Sequence, residues 1–306
     1  MEESNGYEDY LFDSLGTLYG IQPVMLTTSC GASTFNHMLK SRMTEPATPE
    51  RANDIRIEIS TPDTAPANWG LHASAIWVSS THLADHLEQL KLENHMRIKR
   101  ESATEADGDR VVRVIELGAS AGLPSISIAK LYSACDEIQI MATDYEDELL
   151  MKTLSENISR NGVAHRCRSL PYSWGTDPSS LLEACGGDGF DVVIATDTLW
   201  NPDLHGIFID SLRLTLRKCY DSRVHLIVGL HTGRYAIQSF LDKVLESGFD
   251  LESIVERQTM GSVTRDWVVY RDEEDEKERR RWVIWIQLKW KIGNNSNEHD
   301  AGTELG

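Results

Sequence analysis

The chain has 306 residues, with 48 acidic against 30 basic side chains and a formal net charge of −18. That length holds one large α/β domain with extensions, and the 41 % apolar fraction is enough for an ordinary core. The acidic balance argues against nonspecific nucleic-acid binding, which needs clustered lysine and arginine, and no run of about 18 apolar residues is present to span a membrane.

Residues 1–52 read as an extension of weak periodicity, with apolar patches at Tyr10–Phe12 and Leu18–Met25 able to dock on a domain. The opening MEESNGYEDY lacks the basic region and apolar core of a secretory signal. Asp54–Ser60 (DIRIEIS) alternates polar and apolar as a half-buried strand does. Ser74–Leu92 spaces Ile76, Trp77, Leu83, Leu87 and Leu90 as a helix would. Met96–Arg110 is charged and reads as a surface loop. Strand and helix patterns then alternate: strands at Val111–Leu117, Glu137–Thr143, Arg166–Pro171, Phe190–Thr196 and Val224–Leu230, with helices after Gly122 and over Glu146–Arg160, Leu204–Lys218 and Ala236–Glu246. Such alternation predicts a parallel sheet covered on both faces. Leu251–Gln258 and Arg281–Leu288 read as two last strands. The run RDEEDEKERR between them (Arg271–Arg280) reads as a solvated loop or short charged helix. The domain is therefore 53–292, and the polar tail 293–306 is expected to be disordered. Five scattered cysteines (Cys30, Cys135, Cys167, Cys185, Cys219) form no C-x-x-C pair. Neither a zinc site nor a disulfide frame is indicated, and a cytoplasmic chain is expected.

The stretch VVRVIELGASAG, Val111–Gly122, carries the most chemistry. An apolar strand ends in Glu116, a small-residue loop follows (Gly118, Ala119, Ser120, Ala121, Gly122), and a helix begins. Glycines at 118 and 122 let backbone approach a ligand and make turns barred to other residues. A dinucleotide site would place glycines at Gly118, Ser120 and Leu123, and two of these three are missing. S-adenosylmethionine, which carries a cationic sulfonium and no phosphate, competes for the same corner. A carboxylate at the strand end suits a cation and repels a pyrophosphate. A glycine turn in some other α/β protein is the remaining reading. The next strand ends at Asp144, placed to accept hydrogen bonds from ribose hydroxyls or to cap the following helix.

Three blocks then occur in order: WGLHASAIWVSSTHLADHL, VIELGASAGLPSISIA with ATDY, and LPYSWG with DVVIATDTLW. In these the chain resembles the family-16 seven-strand methyltransferases, over roughly Asp54–Trp290, and within them a fungal branch of protein N-terminal and lysine N-methyltransferases. The resemblance implies a class I methyltransferase Rossmann-like α/β fold with a seven-stranded, mostly parallel sheet. It implies S-adenosylmethionine as cofactor and a cytosolic protein substrate such as translation elongation factor 1-alpha; the substrate is expected to be basic, the chain a monomer, and the reaction to need no metal. Carried over by position, Trp77 would line the cofactor pocket near its methionine end. Glu116, Gly118, Ser120 and Gly122 would form the cofactor loop, Asp144 would bind ribose, and Trp174 would contact adenine. Thr196 and Asp197 would face the sulfonium and methyl group. The family shows Asp-x-x-Tyr or Asp-x-x-Phe at that tip, where this chain has Asp197-Thr198-Leu199-Trp200.

Methyl transfer to an amine is an in-line displacement. The amine must be neutral, although free lysine has a pKa near 10.4; a buried apolar channel lowers it by desolvation. What is then required is alignment, with reacting atoms about 3 Å apart. Asp197 is the candidate to orient the amine, and Trp200 offers a cation–π face worth about 0.5–2 kcal/mol or serves only to fill the core. Trp69 and Trp77 have the same bland alternative. His72, His205 and His231 lie near element boundaries and receive no role. Two other functions stay open: a small-molecule, nicotinamide-like amine N-methyltransferase, and a non-catalytic cofactor-binding assembly partner.

Overall fold

The computed structural model describes residues 33–39, 55–103, 109–272 and 274–291. The tail at 293–306, Cys30 and the apolar patches of the N-terminal extension lie outside these residues. One stretch of that extension is described. Strand β1 (Thr34–Leu39) pairs antiparallel with β2 (Ile55–Ser60), so part of the segment set apart by its weak periodicity makes a ribbon with the domain's first strand.

The central sheet runs β3 (Val112–Leu117), β4 (Ile138–Asp144), β5 (Cys167–Pro171), β6 (Val192–Thr196), β7 (Arg223–Gly229), β8 (Phe249–Gln258), β9 (Thr264–Asp266) and β10 (Trp282–Trp290) along the chain. In space the order is β5-β4-β3-β6-β7-β10-β8-β9. The pairs from β5 to β7 are parallel; β10 is antiparallel to both β7 and β8. The expected seven strands are present, and a three-residue β9 adds an antiparallel edge to β8.

Helices cover both faces because the strands are apolar on both. Residues alternate along a strand, so Val112 and Val114 of β3 and Val192 and Ile194 of β6 enter one core cluster. Ile115 and Leu117, with Val193 and Ala195, enter the other. The first cluster includes Leu83 of α1 (Val78–Asp85), Ile126 of α3 (Leu123–Leu131) and Leu154 of α4 (Glu148–Arg160). The second holds Leu181 of α5 (Ser179–Ala184), Phe208 of α6 (His205–Thr215) and Phe240 of α7 (Arg234–Glu246). The β1–β2 ribbon is tied to α4 by side-chain amides. Asn157 bonds the Ser60 N–H and C=O, and Asn161 bonds those of Glu58.

Three expectations need correction. Met96–Arg110 is not all surface loop: Leu92–Ser102 forms helix α2, and residues 104–108 are not described. Leu92, His95, Met96 and Lys99 supply its buried face at helical spacing, and Arg97 pairs with Glu101 one turn on. The single helix expected over Ser74–Leu92 is broken into α1 and a 3-10 turn, Leu87–Leu90, before Lys91 turns left-handed (φ 53°) and α2 begins. The charged run Arg271–Arg280 yields the short helix α8 (Glu276–Arg279), but it is not simply solvated. The Glu274 side chain is only 5 % exposed and paired with Arg234 and Arg265, both of which also hold the fully buried Glu256. Mutual pairing is what makes burial of these charges tolerable.

The chain leaves β3 toward β4 and β5 on one side of the sheet and returns to β6 and β7 on the other. That reversal opens a crevice at the carboxyl ends of β3 and β6, the usual ligand position in open α/β sheets. Among the described residues no helix is long and apolar enough to cross a membrane.

Candidate active site

A cavity of about 270 Å³ occupies this crevice. Trp77, Gly118, Ser120, Asp144, Trp174, Thr196, Asp197 and Trp200 all line it, together with Leu71, His72, Ala73, Tyr145, Tyr172, Ser173, Thr198, Leu204 and Ile207. Apolar walls with a few convergent polar groups are the usual make-up of a small-molecule site.

The carboxyl ends of the strands supply its floor. After β3, Gly118 turns with φ 76°, and a Cβ there would meet Thr198 Cγ2 at 3.2 Å and Trp174 Cζ2 at 3.4 Å. Ser120 follows, also left-handed at φ 49°. Its amide donates to Asp144 Oδ2 at 2.7 Å, while the Tyr145 amide donates to Oδ1 at 2.9 Å. Asp144 is buried at the end of β4. Burial pushes its pKa up to about 6, against the two amides, which favour the charged form. It does not cap the next helix. Asp147 does that, with Oδ1 accepting from the Leu149 and Leu150 amides. Its Oδ2 accepts from Ala65 and Asn68, which fastens the 3-10 turn Pro66–Leu71 beside the cavity.

The roof is the segment from Leu71 to Trp77. Ser120 Oγ donates to the Ala73 carbonyl at 2.5 Å, and Trp77 Nε1 donates to the His72 carbonyl at 3.2 Å. His72 stands edge-on to Trp200 (centroids 5.1 Å) and to Trp77 (6.2 Å). Ser80 and Thr196 share a hydrogen bond of 2.8 Å, which joins α1 to the tip of β6. Trp174, at the opposite wall, packs on Phe208 with centroids 4.7 Å apart.

Two loop residues are placed elsewhere. Glu116 is fully buried beneath the loop and does not line the cavity. Its Oε2 accepts from the Ser125 amide at 3.0 Å and hydroxyl at 2.5 Å, so it satisfies a free N–H in the first turn of α3. Burial raises its pKa to about 8, only partly opposed by those bonds. The expected attraction between this carboxylate and a cationic ligand therefore has no direct contact behind it. Gly122 is buried against α4, where a Cβ would come within 2.6 Å of Leu154 Cδ1. Trp69 lies outside the cavity as well, 61 % exposed, with Nε1 donating to the Thr64 carbonyl.

Asp197 has the most constrained position. It sits just past β6 at φ 52°, with Oδ1 accepting from the Gly229 amide at 2.6 Å. His231 Nε2 stands 3.3 Å from the same oxygen, and Oδ2 is buried with no hydrogen-bond partner. Four non-glycine residues among the described ones adopt left-handed φ, and three of them (His72, Ser120 and Asp197) line the cavity. Each costs on the order of 1 kcal/mol, and such strain gathers at functional sites.

His72 and His231 received no role from sequence, yet one lines the cavity and the other holds a residue that does. Glycine two residues before a histidine at a strand end was the available signal: a Cβ on Gly229 would lie 2.3 Å from His231 Nε2. His205 is a buried core histidine on Phe240, bonded to the Leu199 carbonyl.

The cavity suits S-adenosylmethionine. Asp144 puts a buried carboxylate at its wall, Gly118 leaves open floor beside the Trp174 ring, and Asp197 has an acceptor atom that no protein group uses. Comparison with known proteins agrees. Over 195 residues (61 % of this chain, 69 % of the relative) the sequence is 26 % identical to the Protein N-terminal and lysine N-methyltransferase efm7 of Schizosaccharomyces pombe. It is 27 % identical over 199 residues to the same-named protein of Yarrowia lipolytica (58 % and 68 % covered). With that of Gibberella zeae the identity is 25 % over 234 residues (71 % and 79 %). A family described as Lysine methyltransferase matches residues 67–247, which hold every lining residue of the cavity. The chain belongs to this lysine methyltransferase family.

Proposed function

We propose that the chain transfers a methyl group from S-adenosylmethionine to an amine of a protein, either a lysine side chain or an N-terminal amine. One observation carries the reading: a single cavity unites Ser120, Asp144 and Trp174 from one side of the sheet reversal with Thr196, Asp197 and Trp200 from the other. The first set holds adenosine and the second meets the acceptor. The cofactor supplies an electrophilic methyl on a sulfonium. The protein's part is to desolvate the amine so that it loses its proton, and to align it, Asp197 accepting one of its N–H bonds. His72, Trp77 and Trp200 present aromatic faces to the positive charge that grows on nitrogen. A net charge of −18 favours a basic acceptor approaching by long-range attraction.

Labelled S-adenosylmethionine, a cell lysate and recombinant translation elongation factor 1-alpha as a first defined acceptor provide the test. A labelled protein band made by the native enzyme and absent with Asp197→Ala is the expected result. Label confined to the protein-free extract would assign a small-molecule amine instead. No label and no binding of S-adenosylhomocysteine would remove the enzyme reading altogether.

A further inference from the structure

Asp197 is gripped from outside the cavity. His231 follows β7 two residues past its end, and its side chain is 25 % exposed. Nε2 reaches Oδ1 of Asp197 at 3.3 Å, and the ring packs at a tilt on Trp77, with centroids 5.0 Å apart. Trp77 and Asp197 both line the cavity, one from the roof and one from the floor, so a single imidazole braces the two. The chain makes room for it. Gly229 carries no Cβ where one would strike the ring, and its amide takes the same carboxylate oxygen at 2.6 Å. Oδ1 thus accepts from the Gly229 amide and has the His231 ring nitrogen at 3.3 Å, and Oδ2 has no hydrogen-bond partner.

We propose that His231 is a positioning residue for methyl transfer: its Nε2 and the Gly229 amide occupy one oxygen of Asp197, so that the other is kept as the acceptor for the incoming amine. This rests on the function proposed above and adds to it a residue that does not touch the cavity. An aspartate held left-handed at φ 52° is not in its resting conformation, and the Gly229 amide and the His231 ring on one oxygen are what fix its χ angles there. The grip depends on protonation. A neutral imidazole donates through Nε2 and leaves the carboxylate its full charge for the positive charge that grows on the amine nitrogen during transfer. An imidazolium still donates but cancels much of the carboxylate's charge at close range. The charged groups acting on His231 are Asp197, which favours its protonation, and Arg280 at the end of α8, which opposes it.

Sinefungin tests this without a protein acceptor, because it carries a protonated amine where the cofactor carries its methyl. Calorimetry on the full chain compares it with S-adenosylhomocysteine, which has neither. Native protein, His231→Gln and His231→Ala should bind S-adenosylhomocysteine within about twofold of one another. His231→Ala should lose about tenfold in sinefungin affinity, the scale of one charge-assisted hydrogen bond, and His231→Gln, which keeps a donor, should recover most of it. The ratio of sinefungin to S-adenosylhomocysteine affinity, from which the shared effect of Asp144 on the ribose cancels, should fall in the native protein as pH drops through the imidazole titration, and that fall should vanish in His231→Gln. Gly229→Ala, which displaces the ring, should weaken sinefungin in the native background and do nothing further in His231→Ala. Sinefungin affinity unchanged in His231→Ala, or a pH-dependent ratio of the two affinities persisting in His231→Gln, overturns the proposal while leaving the cofactor site intact. Loss of both ligands in both His231 variants makes the residue structural and also overturns it. Failure of the native protein to bind S-adenosylhomocysteine defeats the function itself.

Discussion

Glu116 holds the first turn of α3 through Ser125, accepting from its amide at 3.0 Å and its hydroxyl at 2.5 Å, with no solvent at either oxygen. The acidic residue of the glycine-loop motif therefore acts on the helix behind the loop, and the loop's aim follows from that. Its pKa, near 8 in the fold against the usual 4.5, makes the neutral form the comfortable one. A raised carboxyl contributes stability that is full below pH 4.5 and is lost as pH climbs toward 8. Glu116→Gln keeps an acceptor for Ser125 and never ionises. Its melting temperature should gain on the native protein as pH rises from 5 to 8, with S-adenosylhomocysteine affinity little changed. A constant difference across that range would mean the carboxyl does not titrate there.

Asp144 has the opposite kind of sensitivity, in binding. With a pKa near 6, it is largely charged at pH 7.5 and largely protonated at pH 5. Only the charged form has all its lone pairs free for ribose hydroxyls beyond those taken by Ser120 and Tyr145. Affinity for S-adenosylhomocysteine should fall below pH 6. Asp144→Ala should weaken it by about 1–3 kcal/mol and abolish the pH dependence. Titration calorimetry across pH 5–8 reads both.

Gly118 and Gly122 belong to one loop and should fail in different ways. An arginine at 118 would push between Trp174 and Thr198 into the cavity, so Gly118→Arg should abolish S-adenosylhomocysteine binding while the protein still melts cooperatively. Gly122→Ala would put a methyl 2.6 Å from buried Leu154 at φ 83°, and should cost about 1–3 kcal/mol of stability. Its affinity, measured below the melting transition, should survive. Denaturant melts and calorimetry on the two variants separate the roles.

Much of the fold is legible in the sequence because burial on both faces writes itself as apolar runs such as VVIAT in β6. Eight of the ten residues singled out do share one cavity. Helix α2 is less legible, since its buried face amounts to four residues in a strongly charged segment. Glu116 illustrates a subtler limit: a carboxylate at a strand end suits a cation in the loop and a free amide beneath it equally well, and only burial decides between them. His231 lies 34 residues beyond Asp197 and meets it only because β6 and β7 are parallel neighbours whose ends coincide. The Arg234–Glu256–Glu274–Arg265 network is hidden for the same reason, as its members come from α7, β8, β9 and the run before α8.

Trp200 replaces the smaller ring of the family pattern and stands edge-on to His72 at the cavity wall. The proposed function puts it against the acceptor. Trp200→Ala should leave S-adenosylhomocysteine affinity within about threefold and reduce methyl transfer by about tenfold, from loss of roughly 0.5–2 kcal/mol of cation–π stabilisation. Trp200→Tyr should retain most of the rate. Equal loss of cofactor affinity and rate in the alanine variant would place the ring on the cofactor.

A crystal structure of the full chain with S-adenosylhomocysteine is the decisive experiment. The ribose should lie against Asp144, the adenine beside Trp174, and the sulfur toward Thr196 and Asp197. Density for the molecule outside this crevice, or in it with the ribose away from Asp144, would rule this site out.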